Sequence, residues 1–182
     1  FMTDPALLDH RRWLGYAQPV GLVVSPPALL DAQVYLNRNV GAEHRAFLAE
    51  VREMALPDGL NAPVVTDWPR LFVEQFGWQA DDLQPAPLSL LVALPEYHDV
   101  LRATHAVRAF NPPPGASPWL ALMQVCETGT ALDAPVTAAG WPASPQARFE
   151  RLLRETQHPI GLLTNGLELR LVYAPRGESS GT

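Results

Sequence analysis

Acidic side chains flank two apolar segments in the second half of the chain. Asp99 precedes the first segment, at residues 101–110, and Glu127 follows the second, at residues 119–126. Carboxylate oxygens are preferred ligands of Mg²⁺, and bound Mg²⁺ can activate water for phosphodiester hydrolysis. Acidic residues beside strands are more often solvated loop ends. The sequence therefore predicts no metal site, and Asp99 and Glu127 are the residues on which a metal-dependent activity would depend.

All 13 basic residues of the chain are arginines, and the formal net charge is −6. The candidate contacts to DNA phosphates or to a partner protein are Arg102, Arg108, Arg148, Arg151 and Arg154. A negatively charged chain lacks the broad electrostatic footprint of an autonomous DNA-binding domain, so we expect weak DNA binding by the chain alone. The alternative for the last three arginines is a solvated helix face.

Two short features have structural explanations that outweigh chemical ones. The tripeptide at 112–114 follows Asn111 and is similar to the Asn-Pro-Pro-aromatic motif of adenine methyltransferases, but no aromatic residue follows it. A glycine-rich cofactor turn is missing upstream, so this segment is predicted to be a loop. Cys126, the single cysteine, is predicted to be a buried small hydrophobe in a reducing compartment.

The first half of the chain has the spacing of amphipathic helices. Helices are predicted over 6–14, 28–36 and 42–55, and a fourth runs from an Asp67 cap to Phe76, where Gly77 ends it. Ser25 caps the second helix, and 57–63 is predicted to be a turn-rich link. The apolar run 20–24 lies between the first two helices.

The second half has the pattern of strands. Strands are predicted over 88–94, 103–110 and 119–126, followed by a helix from Ser144 that ends before Pro159. Residues 159–173 are predicted to form a β-hairpin with Asn165-Gly166 as a two-residue type I′ turn. We expect a helical region at 1–60, an α/β core at 61–176 and a linker or frayed end at 177–182.

The order of these elements carries a resemblance to a known family. An arginine-bearing helix lies between a central strand and the segment Pro-Ile-Gly-Leu-Leu-Thr-Asn-Gly at 159–166, which leads into Leu-Glu-Leu-Arg-Leu-Val-Tyr at 167–173. This order resembles the core of the PD-(D/E)xK nuclease superfamily. Together with 21–29 and 174–181, it is similar to the N-termini of large restriction-modification methylases, including DISARM-type phage-defence adenine DNA methyltransferases. The resemblance implies a mixed-sheet restriction-endonuclease-like α/β (α+β) core with an N-terminal helical region and a C-terminal hairpin.

The resemblance also places a catalytic motif that this chain does not keep. The superfamily requires a carboxylate on the first strand, then an acid and a lysine two residues apart on the second, to hold Mg²⁺. Thr104 stands at the first position, while Gln124 and Cys126 stand at the others. An amide is a weaker metal ligand than a carboxylate, and arginine is a poor replacement for lysine. The resemblance therefore implies a degenerate nuclease site.

Three hypotheses remain from the sequence. The first is a non-catalytic methyltransferase module that assists DNA recognition or complex assembly. The second is an active nuclease with an unconventional carboxylate site, which would need Mg²⁺. The third is a purely structural protein-interaction domain. We expect no cofactor in this chain and S-adenosylmethionine in a methyltransferase domain beyond residue 182. The expected partners are DNA, other defence subunits or that methyltransferase domain. No apolar run of membrane-spanning length or secretion leader is recognised, so a cytoplasmic location is expected.

Overall fold

The computed structural model describes residues 4–14, 16, 24–136 and 140–177, which fold as an α/β protein with a mixed sheet. The described helices are α1 (Pro5–Leu14), α2 (Pro26–Asp31), α3 (Gly41–Glu50), α4 (Trp68–Phe76) and α5 (Pro145–Thr156). The strands are β1 (Val51–Ala55), β2 (Asn61–Val65), β3 (Leu83–Pro85), β4 (Val92–Leu94), β5 (Asp99–Leu101), β6 (His105–Arg108), β7 (Trp119–Val125), β8 (Ile160–Thr164) and β9 (Leu169–Tyr173). Short 3₁₀ turns lie at Leu88–Leu90 and Pro95–Tyr97.

The central sheet has five strands in the order β3-β6-β7-β8-β9. Strand β6 pairs antiparallel with both β3 and β7, and β8 pairs antiparallel with β9. The pair β7 and β8 is parallel, which requires a crossover, and α5 lies within the chain segment that makes it. Separate two-stranded hairpins are formed by β1 with β2 and by β4 with β5.

Two hydrophobic clusters cover opposite faces of the sheet, because alternate residues of a strand point to opposite sides. Ala121 and Met123 of β7 pack in the cluster that contains α4, whereas Leu122 belongs to the cluster that contains α5. The sheet therefore lies between α4 and α5. Gly161 of β8 faces α5, since a Cβ added there would meet the ring of Phe149.

The predicted caps of α4 and α5 are confirmed. The Asp67 carboxylate accepts a hydrogen bond from the Arg70 amide at 3.0 Å, and the Ser144 hydroxyl accepts one from the Ala147 amide at 3.2 Å. Gly77 ends α4 in the left-handed conformation, with φ of 69°. These contacts fix the start of each helix that packs against the sheet.

The prediction of one helix over 42–55 is wrong in its second part. Helix α3 ends at Glu50, and Val51–Ala55 pairs with Asn61–Val65 as a strand. A three-residue turn at 57–59 joins the two strands, and Gly59 adopts a φ of 83° in it. Pairing with β2 therefore outweighs the helical spacing of the apolar side chains.

Other predicted boundaries also differ from the structure. Helix α2 stops at Asp31, short of residue 36, because Gln33 takes a left-handed φ of 57° and the Val34 amide closes the end on the Leu29 carbonyl. Of the predicted strand 88–94, only Val92–Leu94 forms a strand. Most of the apolar run 20–24 and of the end segment 177–182 lies outside the described residues.

The predicted β8–β9 hairpin is present, but its turn is longer than the two residues predicted. Thr164 pairs with Leu169, which leaves four residues in the loop. The Asn165 side chain accepts hydrogen bonds from the Leu167 and Glu168 amides, both at 3.0 Å. The Asn165 amide group also donates to the Thr130 carbonyl at 2.9 Å, so the buried side chain organises a wider loop than a type I′ turn needs.

The described residues of segment 4–50 contribute little to the core. His10 is the one buried residue among them, and its ring nitrogen Nε2 lies 2.9 Å from the Val34 carbonyl oxygen. Exposed apolar side chains in this segment include Trp13, Tyr16 and Tyr35. No helix in the described part of the chain has both the length and the apolar character needed to cross a membrane.

Candidate functional site

The threonine at the predicted first carboxylate position has a structural role in joining β6 to β7. The Thr104 hydroxyl donates to the Met123 carbonyl at 2.9 Å and accepts from the Val125 amide at 3.0 Å. Nδ1 of the next residue, His105, lies 3.1 Å from the same oxygen. Burial lowers the pKa of His105, which favours its neutral ring. The hydroxyl thus extends the ladder of backbone hydrogen bonds.

We expect Thr104→Val to destabilise the fold by about 1–2 kcal/mol, because valine keeps the shape of threonine but leaves the Val125 amide without this acceptor. Urea denaturation of both proteins measures the change. Thr104→Ser is the matched control, since it keeps the hydroxyl and should retain most of the stability. A Thr104→Val protein as stable as the parent protein would contradict the role of the hydroxyl.

Gln124 and Cys126, at the other two predicted motif positions, lie at the end of β7 and are half-buried. The Gln124 side chain donates to the Val125 carbonyl at 3.2 Å, and the Cys126 amide donates to the Thr164 carbonyl at 2.7 Å. Cys126 packs against the α5-side cluster, and burial raises the pKa of its thiol. The thiol is therefore protonated near neutral pH, which makes it a poor metal ligand or nucleophile.

The two alternative carboxylates have different surroundings. Asp99, on β5, accepts a hydrogen bond from Arg148 of α5 at 2.6 Å and others from the Trp141 and Val100 amides. Glu127 follows β7 and is exposed. Within residues 4–14, 16, 24–136 and 140–177, no three histidine, cysteine or acidic side chains are grouped as a metal site would require. Asp133 binds Arg170 through both carboxylate oxygens at 2.8 and 2.7 Å.

Two of the predicted contact arginines tie α5 to the β4–β5 hairpin. Arg148 pairs with Asp99 and also donates to the Trp141 carbonyl at 3.0 Å. The Arg148 hydrogen bond is the main reason that the pKa of Asp99 lies well below its usual value. Arg151 pairs with Glu96 at 2.7 Å. We call Asp99, Glu96, Trp141, Arg148 and Arg151 the arginine latch.

Aromatic rings complete the arginine latch. The rings of Tyr97 and Trp141 stack with centroids 5.7 Å apart, and the Arg151 guanidinium lies 5.1 Å from the Trp141 centroid. The backbone approaches closely here, because a Cβ on Gly140 would collide with the Tyr97 carbonyl oxygen. Glycine at position 140 is therefore required for the loop to reach the β4–β5 hairpin.

The remaining predicted arginines divide into paired and unpaired side chains. Arg154 pairs with Glu150 one helical turn away at 3.2 Å, and Arg108 pairs with Asp81 at 2.6 Å. Arg102 is exposed and has no carboxylate within 4 Å among the residues that the structure describes. Of the five predicted contact residues, Arg102 is the one that has no ion pair with the part of the chain that the structure describes.

A cleft of about 290 Å³ lies beside Arg102 and is lined by residues 86–88, 90–91 and 102–104. Two of its lining segments are joined by the Ala86 amide, which donates to the Thr104 carbonyl at 3.1 Å. A strand predicted over 88–94 does not indicate this cleft, whereas in the structure the 3₁₀ turn Leu88–Leu90 lines one side of it. The Pro-Ala-Pro sequence at 85–87 was the available signal of an interrupted strand.

The structure also joins a serine and a histidine that the sequence analysis did not connect. The Ser117 hydroxyl oxygen lies 2.7 Å from Nε2 of His158, and it accepts a hydrogen bond from the Trp119 amide at 3.1 Å. Among the described residues no carboxylate contacts the buried Nδ1 of His158, so the ring lacks the acidic partner that orients a catalytic base. This contact fixes the 111–118 loop to the end of α5.

Comparison of the chain with protein-family models, with curated proteins and with solved structures found no match in any of the three.

Proposed function

We propose that this chain is a non-catalytic module of a cytoplasmic restriction-modification or phage-defence DNA methyltransferase, and that it acts in assembly of the complex. We choose assembly over DNA recognition because the arginines of α5 form ion pairs within the chain. Arg148, Arg151 and Arg154 of α5 all bind carboxylates of the same chain. Contact with a phosphate would have to compete with these ion pairs in a protein whose net charge is −6.

The arrangement of elements supports the nuclease-like origin of the module. Helix α5 lies in the connection between the parallel strands β7 and β8, and β9 returns as a hairpin. This is the order on which the resemblance to the PD-(D/E)xK superfamily rests. Thr104 supports the non-catalytic part of the proposal, because its hydroxyl is used to hold β6 to β7.

Exposed apolar side chains in segment 4–50 support a protein partner. Tyr35 is 70% exposed and Trp13 is 48% exposed. Among the described residues of this segment, His10 alone is buried. Aromatic side chains contribute strongly to protein interfaces because they bury a large area at little entropic cost. The expected partner is the methyltransferase domain or another subunit of the defence complex.

The first test separates assembly from the DNA-directed alternatives. We expect no nicking of supercoiled plasmid in Mg²⁺ or Mn²⁺ and at most a weak mobility shift of short duplexes at low salt. Nicking that is lost in Asp99→Asn or Glu127→Gln would establish the nuclease alternative. A strong shift that falls steeply with salt and is lost in Arg148→Gln would establish DNA recognition.

The second test concerns the partner. We expect this chain and the methyltransferase region, expressed as separate polypeptides, to co-purify, and we expect Tyr35→Asp or Trp13→Asp to abolish the association. Leu60→Asp is the matched control, because Leu60 is also exposed, at 66%, but lies between the turn at 57–59 and β2. Association that survives both aromatic substitutions would contradict the proposed surface. Absence of association with both the methyltransferase region and the other defence subunits would contradict the assembly role.

A further inference from the structure

We infer that the cleft beside Arg102 is a binding site for a small carboxylate with an apolar body, such as a short-chain fatty acid. The inference is independent of the proposed assembly role. It rests on three features of the cleft: one guanidinium that has no carboxylate within 4 Å among the described residues, lining side chains that are mostly apolar, and lining segments held by backbone hydrogen bonds. Each feature restricts the ligand in a different way.

The charge of the cleft selects a monoanion. Arg102 is the one charged residue among the described residues that line the cleft. A guanidinium presents parallel N–H donors that match the two oxygens of a carboxylate, and such charge-assisted pairs are stronger than neutral hydrogen bonds. The Thr104 hydroxyl already has its partners on β7, so the ligand's polar contact is expected to be with Arg102.

The lining residues and the volume of the cleft favour a ligand with a small apolar group. Leu90 and Ala103 are buried beside the cleft, while Leu91 is 40% exposed and Leu88 is 85% exposed at its rim. A volume of about 290 Å³ is at the lower end of the roughly 300–1,000 Å³ typical of small-molecule sites. A ligand with a short alkyl chain would fill this space and cover the exposed leucines, which favours binding.

The backbone on both sides of Arg102 is held in place. Leu101 belongs to β5 and is paired with Val92, and the Thr104 amide donates to the Met123 carbonyl at 2.9 Å. On the opposite wall the Leu90 and Leu91 amides close the 3₁₀ turn on the Pro87 and Leu88 carbonyls. The cleft is therefore formed before a ligand arrives, so little conformational entropy is lost on binding.

The probe is hexanoate, titrated into ¹⁵N-labelled protein and followed by amide chemical shifts. We expect the shifts to be confined to residues 86–91 and 102–105. Hexanamide tests the charge and is expected to bind at least about tenfold more weakly than hexanoate, since a charge-assisted hydrogen bond accounts for about that factor. Acetate tests the apolar body and is also expected to bind at least about tenfold more weakly, because it lacks the alkyl chain that the cleft would bury. Equal affinity for hexanoate and hexanamide, or shifts located elsewhere, would refute the inference.

Variants test the role of Arg102 directly. Arg102→Gln should weaken hexanoate binding about tenfold and leave hexanamide unchanged, whereas the matched control Arg52→Gln, an exposed arginine on β1, should change neither. Leu88→Asp places a negative charge at the rim and should also weaken hexanoate, without loss of stability because Leu88 is largely exposed. Unchanged hexanoate affinity in Arg102→Gln would overturn the assignment of this site.

Discussion

Replacement of Gly161 by alanine is expected to lower the free energy of unfolding by about 1–3 kcal/mol, the usual cost of overpacking a core. A Cβ at this position of β8 would lie 2.5 Å from two ring atoms of Phe149 and 3.0 Å from Leu153 Cδ1. Both side chains are buried in the α5-side cluster, so neither can move into solvent. Helix α5 must therefore shift away from the sheet. Urea denaturation monitored by circular dichroism measures the change.

Gly41→Ala is the matched control for this experiment. Gly41 is the first residue of α3, and a Cβ there would meet Arg45 at an ordinary distance of 3.8 Å. Alanine favours the helix, so this variant should be neutral or slightly more stable than the parent protein. If Gly161→Ala were as stable as Gly41→Ala, the close packing of α5 on β8 would be contradicted.

Removal of the Asp99 charge is expected to have the next largest effect. The side chains of Asp99 and Arg148 are only 13% and 19% exposed, so Asp99→Asn would leave a largely buried guanidinium without its counter-charge. We expect a loss of about 1–3 kcal/mol, as for a hydrogen bond to a charged group. Asp81→Asn is the matched control, because the pair of Arg108 with Asp81 is exposed and should contribute less than about 1 kcal/mol.

The effect of Asp99→Asn should also depend on pH in a defined direction. Because folding lowers the pKa of Asp99, the folded protein keeps this carboxylate ionised where the unfolded chain has already protonated it. Its contribution to stability is complete above the unfolded pKa of about 4 and is lost as the pH falls toward the folded value. The stability difference between parent and variant should therefore be largest near pH 7 and should narrow below about pH 4. A constant difference across this range would contradict the role of the ionised form.

The elements that were predicted correctly have local signals. Helices α4 and α5 begin at side-chain caps, and the continuous apolar run at 119–126 identified β7. The β1–β2 hairpin also has a local signal, because Asp58-Gly59 between short strands is typical of a turn, and the Asp58 carboxylate accepts the Leu60 amide at 3.0 Å. The helical spacing of Phe47, Val51 and Met54 instead favoured a helix over 42–55.

The candidate site depends on contacts that no local pattern contains. Arg148 and Asp99 are 49 residues apart in sequence, and Arg151 and Glu96 are 55 apart. Each arginine was predicted as a contact residue from its charge, but the sequence could not show whether a carboxylate of the same chain would reach it. Arg102 was predicted as a contact residue in the same way. Its position between β5 and β6, beside the cleft, distinguishes it from the other arginines.

The central sheet also separates two groups of buried residues that can change independently of each other. Ala121 and Met123 serve the α4 side, while Leu122 between them serves the α5 side, where the arginine latch and the wall of the cleft lie. Substitutions at distant positions with no shared neighbours are usually additive. Substitutions on the α4 side that compensate one another can therefore preserve stability without changing the geometry of the arginine latch and the cleft on the α5 side.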